Sequence, residues 1–358
     1  MSQHSTYTRT AIIRTEATPQ IGYGQVMRCL ALAMALSREN YRSVFLIPQL
    51  DGEIKNEIEK RGQLVRDLPG KLSTEQELYY LQELLEEYDS DLLVVDSYFI
   101  KEDYLNRVTE LGVYLVALDD LAGFDPPADL ILNSNLYITP DDYPGKSPKK
   151  LLLGPDYALL REEFNSARSL IRPMRDKTEV ILVTLGGADP GNQTEKVLTA
   201  LEGSQSGEII LLVVGIGSPY KKELLNRIRN FPKTVIPFIG VADMAQLMIF
   251  ADLAISAGGL TCYELACLGV PHLIINLTAD QEKNARELDK RGVSSYLGKA
   301  QDLSAQDLRQ AIDHLAVDLK KRQSMNFAGE KLIDGQGGKR AVKKIVELTR
   351  QIKLGRKR

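Results

Sequence analysis

The chain has 358 residues, 44% hydrophobic and 26% charged, with a net charge of −3 at neutral pH. That length exceeds what one hydrophobic core covers and predicts two domains. The acidic balance argues against a nucleic-acid binder, and no apolar run is long enough to span a membrane.

The opening MSQHSTYTRT lacks the apolar stretch of a signal peptide. Cys29, Cys262 and Cys267 form neither metal-ligand spacing nor a disulfide framework. They are expected to be reduced, packed thiols of a cytoplasmic protein. The first apolar run, residues 11–13, predicts a strand that ends near Arg14. The next loop carries Glu16 and then Gly22-x-Gly24, leading into a helix from about Val26 that includes Arg28. Glycines at such a turn let a phosphate or sugar approach the backbone, and the helix start offers unpaired N–H groups to an anion. The same pair equally serves a tight turn with close helix–sheet packing. The third glycine and the ribose-binding acid of the dinucleotide fingerprint are missing at their spacing, which argues against a nicotinamide enzyme.

Further strands are expected at residues 43–47, 92–95, 113–118 and 130–132. Between them, residues 73–88 read as a helix with leucines at helical intervals, Ser73 and Gln76 standing in capping-box register. Asp96-Ser97-Tyr98 follows one strand and Asp119-Asp120 another. The charged stretch 163–177, with Pro173, reads as a boundary between domains 1–167 and 168–358. A second strand series is expected at 180–185, 209–214, 234–237, 253–256 and 272–276. These runs are β-branched and mostly apolar on both faces, as strands of a covered parallel sheet are. TLGGADPGNQT places Gly186 and Gly187 after the first of them, with Asn192 and Thr194 at a helix start. In ISAGGLTCYELACLGVP, Gly258 and Gly259 follow a buried strand, Thr261 is the expected helix cap, and Glu264 lies in capping-box register. In a functional reading the glycines cradle a diphosphate and Glu264 accepts hydrogen bonds from ribose hydroxyls. Asp280 and Gln281 offer acceptors and donors to a sugar, with a helix N-cap as the alternative role of Asp280. The tail residues Lys353, Arg356, Lys357 and Arg358 read as a solvated end, or as a peripheral contact with an anionic membrane. Strand–helix alternation in both halves predicts an α/β protein of two doubly wound domains, with a ligand between them at the carboxyl ends of the strands.

Several segments together resemble a known family. IIRTEATPQIGYGQVMRCLALA, LLVVDSY, LVALDDLA, LLLGPDYALLREEF, ILVTLGGADPGNQT, SAGGLTCYELACLGVP and LIDGQGGKRAV look like the UDP-sugar hydrolase of pseudaminic-acid biosynthesis, PseG. The spore-coat polysaccharide protein SpsG belongs to the same group. The resemblance runs through nearly the whole chain in order. It implies a GT-B fold, two Rossmann-like domains facing across a cleft, related to the glycosyltransferase MurG. It also implies removal of UDP from a UDP-diacetamido-trideoxyhexose. Two departures stand out. The family's first glycine motif ends Gly-x-Gly-His, with the histidine as general base, and here the position is Gln25. Where the family commonly has Asp-His-Tyr, this chain has Asp96-Ser97-Tyr98. The histidines present are His4, His272 and His314, none in a matched motif.

Inverting hydrolysis needs a water on the face opposite UDP and passes through an oxocarbenium-like transition state. Diphosphate held by backbone N–H groups leaves without a strong acid. A base typically contributes ~10²–10⁴-fold, and an amide takes no proton near neutral pH, though it orients water. The candidates for the chemistry are therefore Gln25, Glu16, Asp96 and Tyr98, with Asp119 and Asp120 as further carboxylates. The candidates for substrate and nucleotide are Arg14, Gly22, Gly24, Arg28, Gly186, Gly187, Gly258, Gly259, Thr261, Glu264, Asp280 and Gln281. Three readings stand open: a UDP-sugar hydrolase with a replaced base; a glycosyltransferase using the same cleft with an acceptor hydroxyl in place of water, which the resemblance of Asp280-Gln281 and Asn284-Ala285 to the sugar-binding stretch of MurG-like transferases favours; and a non-catalytic sugar-nucleotide binder. No metal, cofactor or nucleic-acid partner is expected.

Overall fold

The computed structural model describes residues 7–17, 22–48, 50, 52–68, 72–145, 150–187, 189, 191–215, 217–241 and 243–356. His4, Lys357 and Arg358 lie outside them, as do the side chains of Lys353 and Arg356. The chain divides into two compact units, residues 1–18, 25–161 and 336–358 against residues 19–24 and 162–335.

The first unit runs β1 (Arg9–Thr15), α1 (Gly24–Ser37), β2 (Tyr41–Pro48), α2 (Gly52–Lys60), β3 (Leu64–Leu68), α3 (Thr74–Glu87), β4 (Leu92–Asp96), α4 (Glu102–Glu110), β5 (Tyr114–Leu118), β6 (Leu130–Asn133) and β7 (Lys150–Leu153). Every pairing is parallel, in the order β3-β2-β1-β4-β5-β6-β7. β4 and β5 are buried at every position, which is why they read as continuous apolar runs. One face of the sheet packs Ile12, Val44, Leu93 and Leu115 against Leu81 and Leu84 of α3 and Leu105 and Val108 of α4. α3 carries the expected capping box, with Ser73 Oγ accepting from Gln76 N and Gln76 Oε1 accepting from Ser73 N.

The second unit runs α5 (Glu162–Ala167), β8 (Val180–Thr184), α6 (Gln193–Gly203), β9 (Ile209–Val214), α7 (Lys221–Arg227), β10 (Thr234–Ile239), α8 (Met244–Met248), β11 (Leu253–Ala257), α9 (Thr261–Cys267), β12 (His272–Asn276), α10 (Glu282–Lys290), β13 (Ser295–Lys299), α11 (Ala305–Val317) and α12 (Leu319–Leu332). Its parallel sheet has the order β10-β9-β8-β11-β12-β13. Counted within each unit, both sheets begin with the Rossmann order 3-2-1-4-5-6. The first unit adds one strand at its far edge.

α13 (Gly337–Arg356) returns to the first unit. Its start lies against the backbone of Ala158, 2.2 Å from that carbonyl oxygen to an added Cβ on Gly337, so only glycine fits. Further along, Ala341, Val342, Ile345 and Val346 are buried, and Thr349 Oγ1 meets the Tyr41 hydroxyl at 3.3 Å. The domain range 168–358 expected from the sequence therefore gives up residues 336–358 to the first unit. Periodicity identifies an amphipathic helix but does not say which sheet it covers. The charged stretch 163–177 lies within the second unit, whose boundary falls at 161/162: Arg172 donates to Asp252 at 2.6 Å and to the Phe250 carbonyl at 2.7 Å, while buried Arg322 donates to the carbonyls of Arg175 and Asp176. Among the described residues no helix is long and apolar enough to cross a membrane.

Candidate functional site

In a doubly wound sheet, ligands bind at the carboxyl ends of the strands where the strand order reverses. The first unit reverses between β1 and β4, and the second between β8 and β11. The candidate residues of each unit gather at its own reversal.

In the first unit, Thr15 at the end of β1 lies in register with Asp96 at the end of β4. α1 starts at Gly24 and turns Gln25 and Arg28 toward the same place. Asp96 is fully buried and receives Arg28 in a two-pronged contact, Nε to Oδ2 and NH2 to Oδ1, each 2.6 Å. Gln25 Nε2 donates to Asp96 Oδ1 at 3.1 Å, and the Cys29 thiol to Oδ2 at 3.4 Å. Arg28 NH1 also pairs with Asp120, whose Oδ2 accepts the Tyr98 hydroxyl at 3.0 Å. Burial pushes the Asp96 carboxyl up from its ordinary range, and Arg28 opposes that. Burial and the neighbouring Asp96 also hold Cys29 as a neutral thiol.

Glu16 has a different environment. It is 4% exposed. Its Oε1 accepts the Ser97 hydroxyl at 2.6 Å and lies 3.4 Å from Arg14. Its Oε2 is buried with no hydrogen-bond partner among the described residues. Burial raises its pKa, only partly opposed by Ser97 and Arg14. Gln25 Oε1 is likewise buried and unpartnered. Arg14 is turned inward, donating to Glu77 at 2.8 Å and to the Thr15 carbonyl at 2.9 Å. Asp119 closes its own turn, accepting from Leu121 N at 2.9 Å and from the Tyr143 hydroxyl at 2.7 Å.

In the second unit, β8 leads into Gly186, at φ +86°, and Gly187. Gly215 packs so closely on this turn that an added Cβ would stand 2.2 Å from the Gly187 oxygen. Tyr23 covers it: a Cβ on Gly187 would meet Tyr23 Cδ2 at 2.7 Å, and one on Gly217 the hydroxyl at 2.7 Å. These glycines therefore have a packing role of their own. Asp189 caps α6, accepting from Gln193 N at 2.9 Å and Thr194 N at 3.0 Å. Gly22 is at φ +76°, and neither it nor Gly24 has an atom within 4 Å of an added Cβ among the described residues.

At the end of β11, Gly258 N and Leu277 N both donate to Gln281 Oε1, at 3.2 and 3.4 Å. Gln281 thus fastens the Gly258–Gly259 turn to the end of β12. Beside it, Asn276 Oδ1 is buried without a hydrogen-bond partner among the described residues, and Tyr263 donates to Asn284 at 2.9 Å. The expected capping box is corrected here. Leu260 precedes the helix with helical angles and no side-chain cap, so Thr261 is the first helical residue and Glu264 falls out of register. Glu264 remains buried. Asp280 is exposed on a short 3-10 turn and is not the cap of α10, which Gln281 precedes. Cys262 and Cys267 are buried, their thiols pushed up to about 12 and about 11. His272 is buried and His314 exposed. Residue-type reasoning did not find Ser97 or Asn276 as site residues; their signal is position, just after or at the end of a strand.

Residues 180–340 match the model of the glycosyltransferase family 28 C-terminal domain. MJ1062 of Methanocaldococcus jannaschii is 28% identical over 275 residues, 75% of this chain and 55% of its own, so the chain spans about half the length of that relative. The spore coat polysaccharide biosynthesis protein SpsG of Bacillus subtilis is 29% identical over 260 residues, 69% of this chain and 74% of its own. The UDP-2,4-diacetamido-2,4,6-trideoxy-beta-L-altropyranose hydrolase of Campylobacter jejuni is 27% identical over 288 residues, 78% of this chain and 96% of its own. In fold, the crystal structure of Acinetobacter baumannii MurG superposes with a TM-score of 0.68 at 16% identity, covering 94% of this chain and 99% of that one. Twin Rossmann sheets, a matched family 28 C-terminal domain and the MurG superposition agree on a GT-B fold, and the chain is similar to SpsG and to the UDP-altropyranose hydrolase over most of its length.

Proposed function

We propose that the protein is a nucleotide-sugar hydrolase that releases UDP from a UDP-(di)acetamido-deoxyhexose, with Glu16 as the base in place of the missing histidine. The observation that carries this is the state of Glu16: a buried carboxyl with a raised pKa and one oxygen without a partner among the described residues, at the strand-order reversal. Asp96, by contrast, has both oxygens engaged, and Asp119 and Asp120 are tied to neighbouring groups. Gln25 Oε1 accepts one hydrogen of the water and holds it. Glu16 Oε2 takes the other as a proton while the water oxygen bonds to C1. The C1–oxygen bond to the diphosphate breaks, and UDP leaves with the electron pair. The Gly258–Gly259 turn and Gln281 receive the nucleotide, and Glu264 the ribose. The relatives named for UDP-sugar hydrolysis and polysaccharide synthesis support this substrate class.

A second reading is glycosyl transfer, favoured by the family 28 domain match. The same base then deprotonates an acceptor hydroxyl in place of water. UDP release from a panel of UDP-diacetamido-trideoxyhexoses and UDP-N-acetylglucosamine, with and without sugar acceptors, separates the two. Release without acceptor is the expected result. Release only with acceptor assigns the protein to the transferases. UDP binding without release from any donor reduces it to a binding protein, and the absence of UDP binding overturns the assignment of the second unit.

A further inference from the structure

The amide of Gln25 has two ends of opposite hydrogen-bonding sense, and only one is used. Nε2 donates to Asp96 Oδ1, while Oε1 is buried without a partner among the described residues. Asp96 dictates the choice. Its oxygens already receive both prongs of Arg28 and the Cys29 thiol, and a carboxylate so paired is an acceptor only. Turning the amide over would set Oε1 against Oδ1, two buried acceptors without a hydrogen between them. Arg28 is itself anchored on Asp120, which is anchored by Tyr98, so the carboxylate has little freedom to move away. Ser97, the next residue, holds Glu16 by its other oxygen.

We infer that Asp96 is a positioning residue: by accepting from Nε2 it fixes the Gln25 carbonyl oxygen as the free acceptor of the site. The inference rests on the hydrolytic reading, in which that oxygen holds the water for Glu16. It also reaches further. The same carboxylate can accept from one ring nitrogen of an imidazole at position 25 and leave the other nitrogen bare. The partner a histidine base requires is therefore still in place.

The test uses the full-length chain and two readouts. The first is proton exchange by nitrogen-15 NMR, which needs no substrate. The Gln25 side-chain amide, assigned by its loss in Gln25→Met, is expected to exchange at least about tenfold more slowly than exposed glutamines. Asp96→Asn is expected to remove that protection. Gln25→His, which leaves Asp96 intact should Asp96→Asn fail to fold, is expected to show a protected ring N–H absent from the wild type. A Gln25 amide that exchanges like an exposed one, or an unprotected imidazole, overturns the inference. The second readout is kinetic. With a donor found in the UDP-release panel, Asp96→Asn is expected to lower kcat by ~10–100-fold with little change in KM. An unchanged kcat beside a lost amide protection overturns the positioning role. Where no donor releases UDP, hydrolysis itself fails, and the exchange experiment still decides how Asp96 orients the amide.

Discussion

Glu16 is held in an environment that suits a base and costs stability. Its folded-state pKa lies above the ordinary glutamate value of 4.5 because burial disfavours its charge. The folded protein therefore binds this proton more tightly than the unfolded chain does, and stability falls as pH rises through that interval. Glu16→Gln keeps an acceptor for Ser97 and removes the charge. We expect it to lower UDP release by ~10²–10⁴-fold while raising the melting temperature by about 2–4 °C for each kcal/mol recovered. UDP affinity by calorimetry should be unchanged. In the wild type, the acid limb of kcat/KM should lie above pH 4.5. His272 works in the opposite direction. Its ring is buried with Nδ1 at 2.8 Å from the Val270 carbonyl, and burial lowers its pKa to about 4. The unfolded histidine takes its proton near 6.5, so the stabilising contribution is complete above that pH and is lost as pH falls toward 4, on the order of 3 kcal/mol in all. Urea midpoints measured from pH 7 to pH 4 should show this loss, and His272→Asn, which keeps an N–H donor, should flatten it. The residue types of the site were legible in the sequence, since buried polar side chains after apolar runs stand out. Their pairing was not: Gln25 and Asp96 are 71 positions apart and meet only because β1 and β4 are neighbours.

Among the elements, the buried strands were readable and three edge or near-edge strands were not. β4, β5, β11 and β12 are covered on both faces and carry unbroken apolar runs. β3, β7 and β13 are LVRDL, KLLL and SYLGK, short and largely incompletely buried. At an edge the ladder is satisfied on one side only, and solvent tolerates charge and glycine there. β10 shows the converse, since TVIPFI reads as a covered strand yet leaves Ile236 and Ile239 more than 40% exposed. The turn after β11 carries a prediction of its own. Gln281 Oε1 accepts from two backbone N–H groups, and a carboxylate does the same. Gln281→Glu should therefore preserve the turn and the melting temperature, yet weaken UDP binding at least about tenfold by placing a negative charge beside the diphosphate. Gln281→Met loses the fastening and should weaken both. Equal UDP affinity in Gln281→Glu and wild type would remove the diphosphate from this turn.

At the scale of the molecule, both doubly wound sheets were legible from strand–helix alternation, but the return of α13 was not. Nothing in LIDGQGGKRAV says which sheet the helix covers; the fit of Gly337 on Ala158 and the buried contact of Thr349 with Tyr41 decide it. Removing residues 336–358 should therefore speed hydrogen exchange through β1, β2 and α1 while leaving β8, β9 and β11 protected. Uniform loss of protection would mean that the two units unfold as one. The same path of the chain bears on its birth. A polypeptide leaves the ribosome from its N-terminus, so Tyr41 and the surface that α13 covers are made some 300 residues before their cover. The second unit, apart from the segment around Tyr23, is continuous and can close while still tethered. The first must hold an apolar face bare through the synthesis of its companion, until α13 emerges to cover it.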